Sequence, residues 1–292
     1  MSDKKVNNKN DNDNPNGNEA LQRDLNNIQA WALRWKMEFN VDKCKIMHLG
    51  SDNPEHTYTM GGVNLTVTKE ERDLGVLIDD KLKFENHIKG IVKKANRMLG
   101  LIKIGFACLD KVMFNNLYPV MVRPLLEYCV QVWSPHACGS IDLLERVQRR
   151  ATKIVPELRR LKYPERLKRL KLTSLKERRD RGDMIETYKL ITRKENVNPD
   201  KFFQMAIIRG DPEIHHGLKI FKKGLKSRGA WAETRKNFYT QRVVDPWNGL
   251  PRRVVQARTV SAFKKGVDRE TANRRTIREN SIYVSGVRGE RR

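Results

Sequence analysis

Apolar positions begin late in this chain. Residues 1–18, MSDKKVNNKNDNDNPNGN, carry only Val6 beyond the initiator Met1. A stretch that buries so little does not offset its ordering entropy, so a disordered N-terminal tail is expected. Leu21, Leu25, Ile28, Trp31 and Trp35 then recur at helical spacing. Asn16 or Asn18 is the expected cap. After Phe39 the pattern shortens. Residues 44–49 read as a strand. Residues 57–60 and 63–67 flank Gly61-Gly62 as a two-residue hairpin. Leu74, Gly75, Val76, Leu77 and Ile78 read as a further strand. The prediction is a small antiparallel sheet with one helix packed on it.

From Phe84 onward the period is helical. Ile88, Ile91, Val92, Ala95, Leu99 and Ile102 fall on one face. A helix over 111–121 is punctuated by Pro119 and Pro124. Amphipathic helices follow over 140–154, 164–170 and 174–193. Residues 196–236 read as loop with weak strands, 238–250 as partly helical, and 260–267 as a last short helix. A polar basic tail closes the chain. The fold class is α+β, mainly α.

Composition adds a partner. The 292 residues hold 59 Lys plus Arg against 35 Asp plus Glu, a formal net charge of +24. This excess points to a polyanion, usually nucleic acid, with an anionic membrane surface as the rival. No apolar run approaches the ~18–20 residues of a membrane span, and no secretory h-region follows Met1. An intracellular, soluble protein of nucleus or cytoplasm is expected, without integral membrane association. Cys44, Cys108, Cys129 and Cys138 form no CxxC pair, so reduced thiols are expected and no zinc site.

The charge is uneven. Residues 146–182 contain ten Arg and five Lys against four acids. Arg146, Arg149, Arg150 and Lys153 fall at helical spacing. Arg159, Arg160, Lys168 and Arg169 continue the stripe, and Arg178, Arg179 and Arg181 extend it. A guanidinium fork binds two phosphate oxygens, which suits backbone binding without sequence readout. The competing reading is a solvated helix face on which Glu145, Glu165 and Glu177 pair locally. Phe221, Trp231, Phe238, Tyr239 and Trp247 lie among the cations as stacking candidates, with core packing favoured for Phe238 and Trp247.

Several blocks in order carry a resemblance. LQRDLNNIQAWALRWKMEFNVDKCKIMHLG (21–50), YTMGGVNL (58–65), ERDLGVLIDDKLKFENHI (71–88), KKANRMLGLIK (93–103) and LYPVMVRPLLEYCVQVWSP (117–135) are similar to reverse transcriptases of LINE-type, non-LTR retrotransposons of the Jockey-like branch. So are residues 143–191, NFYTQRVVDPWNGLP (237–251) and VSAFKKGVD (260–268). The resemblance covers about residues 20–270. It implies a disordered tail over 1–18, a distal palm and primer-grip remnant over 19–83 and thumb-like helices over 84–138. A basic C-terminal extension over 139–270 and a polar basic tail over 271–292 complete the division.

The resemblance also sets expectations about chemistry. The family's catalytic aspartates, which hold two metal ions, lie upstream of the helix near Leu21, where this chain has its Asn-rich tail. The expected reading is a truncated RNA-directed DNA polymerase fragment, with no enzyme activity as an isolated chain. It would hold no cofactor, although the family polymerase uses magnesium. Asn40 and Lys43 match the family's pyrophosphate-side segment as remnants, against a plain turn for Lys43. Leu74, Gly75 and Val76 match the primer grip, where Gly75 either admits a backbone or marks a bulge. Asp79-Asp80 imitates a catalytic pair, but the expected role is a cap before a helix. The expected partner is RNA or DNA by backbone contacts. The alternatives are a complementing half of an active polymerase and a protein-interaction module that exposes Leu21, Ile28, Trp31 and Ile46.

Overall fold

The computed structural model describes residues 15–50, 53–106, 108–206, 217–224 and 230–287. Residues 1–14 and 288–292 of the expected terminal tails lie outside these, as does the Trp231 side chain. The chain divides into two units, Met1–His87 and Ile88–Arg292.

The first unit opens with helix α1, Pro15–Arg34. Asn16 and Asn18, expected as caps, therefore lie inside it. Asn18 Oδ1 instead accepts from the Tyr58 hydroxyl at 3.1 Å. Strands β1 (Lys45–Ile46), β2 (Thr59–Met60), β3 (Val63–Asn64), β4 (Thr66–Val67), β5 (Glu70–Asp73) and β6 (Val76–Asp79) follow. They form three two-stranded ladders rather than one sheet. β2–β3 and β5–β6 are antiparallel, and β1–β4 is parallel.

The fragmentation has a local cause. Gly61 and Gly62 turn the β2–β3 hairpin at φ of 63° and 77°. Leu74 and Gly75 turn β5–β6 at 44° and 87°. Both central residues of such a tight turn need positive φ, which glycine adopts without strain. The strands between turns are left two to four residues long. α1 packs on β2 as expected. The Gln22 amide pairs with Thr59 as a strand would, donating to its carbonyl and accepting from its N–H, both at 2.9 Å. Leu25, Val41, Cys44 and Ile46 close over buried Tyr58, Met60 and Leu65.

The second unit is helical. It holds most of α2 (Glu85–Gly105), then α3 (Lys111–Leu117), α4 (Arg123–Glu127), α5 (Val130–Trp133), α6 (Cys138–Thr152), α7 (Tyr163–Leu170) and α8 (Leu175–Ile191). A π-helical turn, Tyr118–Val122, joins α3 to α4 where Pro119 and Pro124 interrupt the hydrogen-bond ladder. Ser174 and Glu177 cap α8 reciprocally, through Glu177 N–H to Ser174 Oγ at 3.2 Å and Ser174 N–H to Glu177 Oε2 at 3.0 Å.

Beyond α8, Met205 and Ile220 form an isolated antiparallel bridge. Helices α9 (Ala230–Lys236), α10 (Tyr239–Arg242), α11 (Val244–Asn248) and α12 (Arg252–Val255) lead to α13, Val260–Val287. The predicted short terminal helix thus runs on through most of the expected basic tail. No proline and only one further glycine, Gly286, follow Gly266 up to its last residue, so the backbone can stay helical without an apolar face. Tyr188, Val244, Trp247 and Phe263 form the centre of a core between α8 and α11–α13, with the Tyr188 and Phe263 rings stacked at 4.2 Å. Among the described residues, no helix is long and apolar enough to cross a membrane.

Candidate nucleic-acid interface

The basic stripe starts on α6. Leu144, Val147 and Ala151 bury one face of this helix. Arg146, Arg149 and Arg150 therefore fall on the exposed side. Arg146 and Arg149 share Asp142, at 2.6 and 3.0 Å. Arg149 also lies over the Tyr163 ring, 5.3 Å from its centroid. Arg150 donates to Asn96 Oδ1 at 3.1 Å. Lys153 caps the C-terminus of α6, Arg159 and Arg160 follow a short 3-10 turn, and Lys168 and Arg169 occupy the last turn of α7. All five of these are exposed, and none forms an ion pair among the described residues.

A buried polar network fixes α7 against α6. The Tyr118 hydroxyl donates to Gln148 Oε1 at 2.9 Å. Gln148 Nε2 donates to the Tyr163 hydroxyl and to the Thr173 carbonyl, both at 3.0 Å. The Tyr163 hydroxyl donates to Glu145 Oε1, and Glu145 Oε2 accepts from Leu175 N–H at 3.0 Å. Burial pushes both tyrosine hydroxyls well above their ordinary pKa, so they remain donors. Glu145, read as a surface partner for the stripe, is thus a buried anchor for the start of α8. Arg166 is also buried. It donates to Thr152 Oγ1 at 2.9 Å, to the Leu161 carbonyl at 2.7 Å and to the Arg149 carbonyl at 3.4 Å.

The three α8 arginines differ from the rest of the stripe. Arg178 forms a two-pronged pair with Glu127, which raises its pKa. Arg181 pairs with Asp268 through Nε at 2.5 Å and Nη2 at 2.9 Å. Arg179 is 2% exposed. Of the aromatic candidates, Trp247 is fully buried, with Nε1 donating to the Leu218 carbonyl at 2.7 Å. Tyr239 bonds Thr187 at 2.9 Å, Phe238 is half-buried, and Phe221 is 48% exposed.

In the first unit, Asn40 Oδ1 accepts from Lys43 N–H at 3.3 Å and caps the short turn Val41–Lys43. The Lys43 side chain is exposed. Leu74 and Gly75 form the tip of the β5–β6 hairpin rather than a strand interior, and Val76 is buried. Asp79 accepts from three backbone N–H groups, those of Lys81, Lys83 and Phe84, at 3.1, 3.1 and 2.6 Å. Its carboxylate organises the loop into α2.

The chain is 29% identical over 134 residues to the RNA-directed DNA polymerase from mobile element jockey of Drosophila funebris, covering 44% of this chain and 15% of that protein. It is 29% identical over 142 residues to the polymerase of the same name from Drosophila melanogaster, covering 44% of this chain and 14% of that protein. The chain is related to jockey RNA-directed DNA polymerases. An uncharacterised protein of Caenorhabditis elegans is 30% identical over 81 residues, 28% of this chain and 41% of its own length. No family model matches, and no solved structure matches.

The chain spans about 15% of the length of the jockey polymerases it matches. Their names correct one expectation. Both relatives are polymerases, so the reading of this chain as a non-enzyme does not stand. What holds is coarser: the chain is related to reverse transcriptases.

Proposed function

We propose that this chain supplies the part of a jockey-type RNA-directed DNA polymerase that holds nucleic acid by its backbone. In this reading the exposed cations Arg146, Arg149, Arg150, Lys153, Arg159, Arg160, Lys168 and Arg169 meet successive phosphates. The observation that carries it is that Lys153, Arg159, Arg160, Lys168 and Arg169 are exposed and form no ion pair among the described residues. Unpaired surface cations gain from phosphate contact because each contact releases condensed counterions. The carboxylates that hold catalytic metal ions come from another stretch of the polymerase, in a longer chain or in a complementing fragment. The division into palm, thumb and basic extension belongs to the same proposal.

Filter binding of single-stranded RNA and DNA across a salt series tests it. With about six to ten phosphate contacts, affinity falls about 10³–10⁵-fold between 50 and 200 mM salt. A flat salt response, or no binding at low salt, rejects the reading.

A second role rests on a separate observation. Trp31, Leu33, Trp35, Met37 and Phe39 are 50%, 65%, 64%, 46% and 41% exposed. Such a run favours contact with another polypeptide, here the remainder of the polymerase. Sizing the purified chain after nuclease treatment checks this. A strictly monomeric chain that captures no added polymerase fragment argues against it.

A further inference from the structure

We infer that the helical rod running from α3 through the π-helical turn to α4 docks a second copy of this chain, antiparallel, about a two-fold axis at Asn116. Along the rod every fourth residue is buried, namely Phe114, Tyr118, Val122 and Leu126. Val112, Asn116, Val120 and Pro124 keep the same spacing on the opposite side and are exposed, Val112 at 68% and Val120 at 74%. Beside this row, Met113, Leu117, Met121 and Leu125 are half-buried or exposed. Asn116 is the single polar residue on an outer face that carries no charge. A helix apolar on opposite sides is ordinarily covered on both. In a chain with 32% charged residues, an exposed apolar face of this extent marks a contact.

The winding of the rod prepares the face for a long contact. Positions four apart drift by about 40° around an unbroken α-helix. The π-helical turn, Tyr118–Val122, is wound more loosely and takes back part of that drift, so the exposed row runs nearer the helix axis. Two such rows interdigitate at a shallow crossing, the ridge of one in the groove of the other.

The chemistry of the face selects the occupant. Asn116 sits midway between Val112 and Val120. A two-fold axis through it sets Asn116 against its own copy, amide to amide, and Val112 against Val120. A lone polar residue in an apolar seam fixes register, and a two-fold contact requires a self-complementary patch. Charge agrees with this register. Arg123 lies seven positions after Asn116 and Asp110 six before it, so the same axis carries Arg123 toward Asp110 of the second copy. Arg123 has charge to spare, because Glu127 is gripped by both prongs of Arg178 and lies 3.9 Å from Arg123. Burial and the neighbouring Arg178 charge pull the Arg123 pKa below its ordinary value. Asp110 is exposed and caps α3 with Oδ1, which accepts from Met113 N–H at 2.7 Å. None of these residues belongs to the basic stripe, so the inference goes beyond the reading of strand binding.

Sedimentation velocity of the nuclease-treated full chain tests it. One helix from each copy buries less than the ~800 Å² per partner of a standard interface, so a weak, reversible dimer forms at roughly 100 µM chain. Two copies of net charge +24 repel, so raising salt from about 50 to about 500 mM strengthens the dimer. Val120→Asp, an exposed change, weakens dimerisation at least about tenfold by burying a charge in the seam. Asn116→Cys, combined with Cys108→Ser and Cys138→Ser, gives a disulfide-linked dimer on oxidation. Asn115→Cys in the same background, one step around the helix, does not.

Four results overturn the inference. A chain that stays monomeric at that concentration leaves the face to the remainder of the polymerase. A dimer that persists in Val120→Asp forms through another surface, such as the exposed run from Trp31 to Phe39. Association that falls away as salt rises is bridged by nucleic acid. Equal cross-linking through positions 115 and 116 removes the axis. Strand binding by the stripe weakens with salt, the opposite sign, so the two readings fail separately.

Discussion

At the residue scale, identical side chains do different work according to burial. Arg166 and Arg169 lie three positions apart on α7. Arg169 is exposed, whereas Arg166 is 4% exposed and bonds Thr152 Oγ1 and two carbonyls. Replacing Arg166 leaves those acceptors unsatisfied. Arg166→Met should cost about 1–3 kcal/mol in urea unfolding, while Arg169→Gln should change stability by less than about 0.5 kcal/mol. Equal costs would contradict the packing described. Sequence alone gave Arg169 to the stripe and assigned Arg166 no role, because an arginine at helical spacing carries no mark of whether its guanidinium meets water or carbonyls. A signal did exist on α6. Glu145, Gln148 and Thr152 interleave with the apolar Leu144, Val147 and Ala151 on one helix face, a pattern that calls for a buried polar network.

Elements were more legible than their contacts. The α6–α8 spans lie within about two residues of the periodicity, since apolar positions recurring every three to four residues directly encode a helix face. The Gly61-Gly62 hairpin is also as read. Leu74-Gly75 was not. Its turn looked like strand because Leu74 and the following Val76-Leu77-Ile78 form one apolar run, yet Leu74 is 82% exposed at the tip. Gly75→Val should destabilise the first unit by about 1 kcal/mol or more, since a β-branched residue at φ near 87° is strained. Gly75→Asn should cost less. Denaturation followed by tryptophan fluorescence compares the two, and equal effects would argue against the turn. At the start of α8, Ser174→Ala should remove about 1 kcal/mol by breaking the cap, readable in the same melt.

Across the second unit, stability depends on pairs far apart in sequence. Arg242 on α10 holds Asp183 on α8, which is 4% exposed, and also bonds the carbonyls of Val130 and Gln131 at the start of α5. Arg242→Met leaves a buried carboxylate alone and should cost about 3–5 kcal/mol. Adding Asp183→Leu should recover part of that loss. A double variant as unstable as the single would show that the pair is not the main tie. For strand binding, Arg159→Gln with Arg160→Gln should lower the salt slope by about 0.7–0.9 for each phosphate contact removed. An unchanged slope would take these two residues out of the interface.

The sequence by itself determined the mainly helical class, the order of helices and the concentration of charge over residues 146–182. It also carried the kinship with jockey polymerases. These follow from local periodicity, composition and ordered blocks, none of which needs a second segment. Only the tertiary structure decided which cations remain free. Arg178, Arg179 and Arg181 continue the stripe on paper, but Glu127 and Asp268 pair with the first and last, and Arg179 is buried. Pairing of charges separated by tens of residues depends on how helices pack, and a linear pattern records which faces are apolar without recording what each face meets.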